Sequence, residues 1–228
     1  MLGVALTAVL LDSLGTLLRM EPPAPRLRKS LARLGFDVPP DAAESAVRAE
    51  ISYYLEHHME GRDASSLADL RNRCAAVVLD QLALPGLSLE AVRPVLLESL
   101  HFEAFPDTAP SLAQLRERGL RLVVASNWDC SLREVLRARG IEPLVDEVVT
   151  SAEVGARKPD AALFRAALEA AGTDANDAVH VGDSPENDVA GAEAAGIRPV
   201  LVDRAGGRRD LDAVPVIATL EELPALLT

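Results

Sequence analysis

The sequence predicts a doubly wound α/β fold, a parallel sheet with helices on both faces, into which an all-helical module is inserted. Three observations carry this. Short apolar runs with β-branched residues alternate with helix-period segments through the second half of the chain. Those runs are continuously apolar instead of alternating, as strands covered on both faces are. The stretch from Arg19 to Glu103 contains helical patterns and no convincing strand.

Taken in order, Val4–Leu11 is the first strand. The proline-rich Glu21-Pro22-Pro23-Ala24-Pro25 then opens the insert, and Phe105-Pro106-Asp107 closes it. Proline fixes φ and interrupts both ladders and helices, so both segments read as boundaries. Between them lie four helical segments, Pro25–Leu34, Asp41–His58, Ser66–Leu82 and Leu89–Leu100. The alternation then runs helix Thr108–Arg118, strand Leu122–Ala125, helix Ser131–Arg139, strand Glu147–Ser151, helix Ala161–Ala171, strand Ala178–Val181 and helix Asn187–Ala195. Strands Pro199–Val202 and Val216–Ile217 complete it. Gly119, Gly140, Gly172 and Gly196 each follow a helical pattern, where glycine stops a helix. The expected division is an α/β core from residues 1-18 and 105-228, with a helical module over 19-104.

Composition narrows the partners. The chain has 228 residues, 49% apolar and 25% charged, enough for a sizeable core. A net charge of −12 repels phosphodiester backbones and anionic lipid, so no nucleic acid and no membrane partner is expected. No apolar stretch reaches the roughly 18 to 20 residues that span a bilayer. Met1–Leu11 is apolar but lacks a basic flank, which argues against a signal peptide. Cys74 and Cys130 are too few for a disulfide framework or a zinc site. A cytoplasmic location is the default expectation, with the oligomeric state open between monomer and homodimer.

Four separated polar pieces follow apolar runs: Asp12-Ser13-Leu14-Gly15-Thr16, Ser126-Asn127, Lys158-Pro159 and Gly182-Asp183-Ser184-Pro185-Glu186-Asn187-Asp188. Doubly wound sheets carry ligands beyond the carboxyl ends of their strands, so these pieces are expected to converge. Asp12 is the candidate nucleophile, a carboxylate able to form an acyl phosphate. Asp183 and Asp188 suit a hard divalent cation, with Asp188 as an outer ligand. Ser126 and Asn127 offer donors to phosphoryl oxygens. Lysine is rare here, with only Lys29 and Lys158 among 23 basic residues. Lys158 therefore reads as a place where a compact ammonium is required, able to lock Asp12 and neutralise charge developing on phosphorus. His57 and His58, in the helical module, have a suitable pKa for acid–base work but also suit a helix C-terminus. His180 reads as a packed strand residue.

In order and spacing these pieces resemble the haloacid dehalogenase superfamily, whose members are mostly aspartate-dependent phosphatases. The stretches Ser151–Asp160 and Gly182–Gly196 are similar to the family pattern, and a helical insert after the first motif is what its helical-cap class has. The resemblance implies that Asp12 is the nucleophile. It implies that Mg2+ is held by Asp12, the backbone carbonyl of Leu14 and Asp183, and that Ser126 and Lys158 bind the phosphoryl group of a small phosphorylated substrate. One position departs. Phosphatases of this family carry, where Leu14 stands, an aspartate that protonates the leaving group and activates water. Leucine does neither, which leaves four readings. The first is a phosphatase, weakened or specialised, with its acid elsewhere or a substrate with a good leaving group. The others are a 2-haloacid dehalogenase-type hydrolase, a carbon–phosphorus hydrolase, and an impaired protein that binds a phosphorylated ligand or a partner.

Overall fold

The structure, a computed structural model, describes residues 6–207 and 214–227. Val4 and Ala5, at the start of the first expected strand, lie outside the described residues. Two compact units are present. One comprises the residues up to Arg19 together with those from Ala104 onward; the other is Met20–Glu103.

The first unit is built on a six-stranded sheet in which every neighbouring pair is parallel. Its strands are β1 (Ala8–Leu11), β4 (Arg121–Ser126), β5 (Glu147–Thr150), β6 (Ala178–Gly182), β7 (Arg198–Val202) and β8 (Val216–Ile217). Counted along the chain, these six strands stand in the order 3-2-1-4-5-6, with the reversal between β1 and β6. All four residues of β1 are buried, as are five of the six in β4 and all five in β6. Both faces of the central strands are thus covered, which explains their unbroken apolar spelling. On one face Ala8, Leu10, Val123, Ala125 and Ala178 pack with Phe164, Ala167, Ala192 and Ile197. Phe164 and Ala167 come from the helix Ala161–Ala171, whose amino end is capped by Asp160 and whose carboxyl end stops at left-handed Gly172.

Between β6 and β7 the sequence pattern suggests one helix, Asn187–Ala195. The chain instead forms a π-helical turn, Pro185–Ala190, followed by a short α-helix, Gly191–Ala194. The cause is local. Ser184 Oγ accepts from Asn187 N, and the Ser184 carbonyl accepts from both Asp188 N and Val189 N. This widens the turn and draws Asp188 inward, where it is 2% exposed.

The second unit is a four-helix cluster: α1 (Pro23–Arg33), α2 (Pro40–His57), α3 (Ala64–Leu82) and α4 (Leu89–Ser99). Asp63 and Ser66 form a capping box at the start of α3, and Ser88 caps α4. Leu27, Leu31, Ala46, Val47, Leu70, Val78, Val92 and Leu96 build its core. Glu50 is buried within this unit, only 2% exposed. Two strands missing from the sequence reading, β2 (Leu18–Met20) and β3 (Phe102–Ala104), pair where the chain leaves and re-enters the α/β unit. Three residues are too few for a period-two pattern to register. Among the described residues, no helix is long and apolar enough to cross a membrane.

Candidate active site

The two strands that flank the sheet reversal deliver the first two carboxylates. Asp12 follows β1, and its backbone N–H donates to the Val181 carbonyl, extending the β1–β6 ladder by one bond of 2.9 Å. Asp183 follows β6 directly. Between them sits Gly15, at φ +86°. A Cβ built there would lie 2.0 Å from Asp183 Oδ2, so the position requires glycine for backbone conformation and for space alike. Gly182 is bare for a similar reason: its Cβ would lie 2.2 Å from Asp188 Cγ.

Lys158 is the hub. Its Nζ donates to Asp12 Oδ1 at 2.5 Å and to Asp188 Oδ1 at 2.6 Å, and it is 2% exposed. The carboxylates of Asp12, Asp183 and Asp188 each place an oxygen within 4.8 Å of the others. Ser126, at the end of β4, donates from Oγ to Asp12 Oδ1 at 3.1 Å, so the hydroxyl of Ser13, 2.6 Å away, donates to Ser126. Asn127 turns toward the main chain of Lys158. Its Oδ1 accepts from Lys158 N at 2.7 Å and its Nδ2 donates to Lys158 O at 3.1 Å. Both ends of this amide thus hold the Lys158 backbone, and the Lys158–Pro159 peptide is cis.

Asp188 is enclosed by donors. Oδ1 accepts from Lys158 and, at 2.8 Å, from His180 Nε2; Oδ2 accepts from Ser184 N at 3.0 Å. His180 lies in β6, fully buried, with its ring edge-on to Phe164 at 5.0 Å. Its packing was legible from the strand pattern. Its bond to Asp188 was not, because the partner sits eight residues on, beyond a π-turn. Ser13 escaped notice likewise, as one more small turn residue. In the helical unit, His57 and His58 each bond through Nδ1 to a carbonyl of α2, that of Tyr53 at 2.8 Å and that of Leu55 at 3.1 Å. Trp128 is a core residue, 6% exposed.

The electrostatics follow from this burial. Desolvation pushes the Asp12 carboxyl up to about 6; the Lys158 ammonium opposes the rise, while Asp188 and Asp183 add to it. Burial works to raise Asp188 too, but Lys158 and His180 outweigh it and hold that carboxyl well below the usual range. Burial works to lower Lys158, and Asp12 and Asp188 outweigh it, so the ammonium is held charged. Because ionised Asp188 can only accept, His180 Nε2 carries the ring proton toward it. The three carboxylates and one ammonium leave an excess of negative charge. At 4.8 Å each like-charged pair repels by about 3 kcal/mol with an effective dielectric of roughly 20. Leu14, by contrast, is an exposed apolar side chain, 40% accessible.

Comparison with known proteins identifies the family. The profile of the family described as haloacid dehalogenase-like hydrolase matches residues 6–196. Phosphoserine phosphatase from Thermus thermophilus is 39% identical over 132 residues, covering 58% of this chain and 53% of that protein. Against such relatives the chain spans only about half of their length. The human haloacid dehalogenase-like hydrolase domain-containing protein 3 matches more extensively, 32% identical over 202 residues, 84% of this chain and 79% of its own. Among solved structures, the HAD phosphatase from Thermococcus onnurineus superposes with a TM-score of 0.66 at 28% identity, covering 97% of this chain and 98% of that one. The 2-haloacid dehalogenase from Pseudomonas syringae superposes with a TM-score of 0.69 at 27% identity, with coverages of 97% and 98%. With β1, β4 and β6 carrying the acidic and hydroxyl groups at their carboxyl ends and a family match across most of its length, the chain belongs to the haloacid dehalogenase-like hydrolases.

Proposed function

We propose that this chain is a Mg2+-dependent phosphatase acting on a small phosphorylated metabolite through an aspartyl-phosphate at Asp12. Residues 19-104 would serve as the substrate-selecting helical cap of the family. The observation that carries the reading is the buried Lys158 ammonium set against the carboxylates of Asp12, Asp183 and Asp188. A phosphate dianion would not enter such an acidic cluster without a further cation. The donors are all hard oxygens, which suits Mg2+. Asp12, Asp183 and the backbone carbonyl of Leu14 are the inner ligands in this reading. Asp188, with both oxygens already accepting from protein donors, takes an outer position and orients Lys158. Bound there, the ion would supply Lewis-acid charge neutralisation at the phosphoryl oxygens.

The chain's own residues do the rest. An Asp12 oxygen attacks phosphorus in line; the new O–P bond forms as the bond to the leaving oxygen breaks, and that oxygen keeps the electron pair. Lys158 and Ser126 are the donors to the phosphoryl oxygens, Ser126 by turning toward them the hydroxyl proton it gives Asp12 in the free protein. Asn127 acts indirectly, through the Lys158 main chain. Water then cleaves the acyl phosphate, releasing inorganic phosphate and restoring the carboxylate. Leu14 has no proton to give at either step. Acyl and aryl phosphates, whose leaving groups depart as anions, are therefore favoured over alkyl esters.

The relatives named for phosphoserine and glyceraldehyde 3-phosphate favour phosphate chemistry. The likeness to a 2-haloacid dehalogenase, together with Leu14, keeps carbon–halogen hydrolysis as the second reading. Acetyl phosphate, p-nitrophenyl phosphate and 2-chloropropionate, each with and without Mg2+, separate the two. Mg2+-dependent phosphate release is the expected result, and metal-independent halide release would replace it under the second reading. Asp12→Asn should abolish turnover with the fold intact; turnover persisting in that variant would falsify the nucleophile assignment.

A further inference from the structure

Arg204 lies two residues beyond β7 and belongs to none of the four sequence pieces. Its guanidinium is engaged on every side. Nη2 donates to the Thr16 carbonyl at 2.6 Å and Nε to the Gly15 carbonyl at 3.3 Å. Nη1 donates to Asp107 Oδ2 at 3.0 Å, and that oxygen also accepts from Leu220 N at 2.7 Å. The guanidinium carbon sits 3.6 Å from the centroid of the Phe105 ring, a stacked cation–π contact. The side chain is only 17% exposed. Such a fork, spending separate N–H groups on two successive carbonyls while stacking on a ring, is within reach of arginine and not of lysine.

The two carbonyls it holds belong to the turn that follows Asp12. That turn already gathers three amides, those of Thr16, Leu17 and Leu18, onto the Ser13 carbonyl. Gly15 lies flush against the Asp183 carboxylate. The peptide run 13–16 is therefore pressed by Asp183 on one side and held by Arg204 through its carbonyls. Arg204 touches neither Asp12 nor Lys158 in the described hydrogen-bond network, so whatever it contributes passes through the backbone.

We propose that Arg204, seated on Asp107 and Phe105, is a positioning residue that fixes the turn after Asp12 in register with Asp183, and so presets the geometry of the acidic cluster. The proposal rests on the metal-dependent reading only for its effect on ion affinity; the ordering of the turn is a property of the metal-free chain. Residues that orient ligands from behind typically change metal affinity by about 10- to 100-fold when removed.

The test uses the full chain with Arg204→Met and Arg204→Lys. In metal-free protein, hydrogen exchange of the peptide covering residues 12–19 is expected to accelerate at least about tenfold in Arg204→Met, with β4 and β6 unchanged. Mn2+ affinity, read by electron paramagnetic resonance well below the unfolding temperature, is expected to weaken about tenfold or more. Arg204→Lys should fall between the two proteins. If Arg204→Met fails to fold, Asp107→Asn, which keeps an acceptor for Leu220 N but weakens the pairing with Arg204, supplies the same readouts. Unchanged protection of residues 12–19, or a loss of protection spread evenly over the sheet, would overturn the positioning role. Should the parent chain bind no Mn2+ at all, the metal-dependent reading fails, and the exchange measurement still decides the role of Arg204.

Discussion

Leu14→Asp restores a titratable proton donor beside the proposed nucleophile, and its consequences can be sized in advance. Leu14 is 40% exposed, so its replacement forfeits only part of a leucine's burial, about 1 to 2 kcal/mol. The new carboxyl would stand two residues after Asp12, on the turn whose amides converge on the Ser13 carbonyl. Neighbouring carboxylates disfavour its charged form and so raise its pKa. A raised pKa keeps it protonated, the state a general acid needs. A positioned acid is worth about 10²- to 10⁴-fold, roughly 3 to 5 kcal/mol of barrier. The gain should depend on the leaving group. With Mg2+ present, kcat on glycerol phosphate, whose alkoxide must be protonated, is expected to rise by that factor. With acetyl phosphate, which releases acetate unaided, it should change by less than about tenfold. Parallel assays on the two substrates, with a thermal melt to check folding, decide the matter. Equal gains on both, or no gain on glycerol phosphate, would refute Leu14 as the site of a missing proton donor.

Two further outcomes are expected. Lys158→Met strips the ammonium from between two buried carboxylates, so stability should drop by about 3 to 5 kcal/mol in denaturant titration and turnover should vanish; Lys158→Arg should not restore it, since a planar fork is larger than the buried ammonium that sits 2.5 and 2.6 Å from the two carboxylates. Burial raises Glu50 to about 7 from 4.5, Cys74 opposing the rise, so native chains keep a proton that unfolded chains release near 4.5. The contribution of Glu50 to stability is therefore fullest below pH 4.5 and is lost as pH climbs through about 7, by up to about 3 kcal/mol. Glu50→Gln should flatten that slope and be the more stable protein at pH 8, and identical urea midpoints for the two proteins at pH 5 and pH 8 would contradict it.

Much of this was legible in the letters because buried parallel strands leave an unbroken apolar spelling. The runs at Leu122–Ala125, Ala178–Val181 and Pro199–Val202 became strands to within a residue or two. Asp12, Ser126, Lys158, Asp183 and Asp188 stand together because strand ends in this topology point one way. What stayed hidden has tertiary causes. His180 spells like any strand residue until a π-turn brings Asp188 against it. Arg204 is one arginine among many until Phe105 and Asp107 seat it. Asn127 reads as a phosphate ligand by position, yet its amide spends both ends on the neighbouring loop.

Strand β1 has a further consequence for how the molecule comes into being. Its partners, β4 and β6, align Ala8 with Arg121 and with Ala178. A ribosome therefore releases the middle of the sheet first and its flanks much later, while the helical segments between them, rich in near-neighbour contacts, have time to collapse. Throughout that interval a wholly apolar ribbon waits with two unsatisfied edges, the sort of surface that invites sticking to other nascent chains. Fast overexpression is expected to divert part of the product into inclusion bodies, and slower synthesis to return it to the soluble fraction.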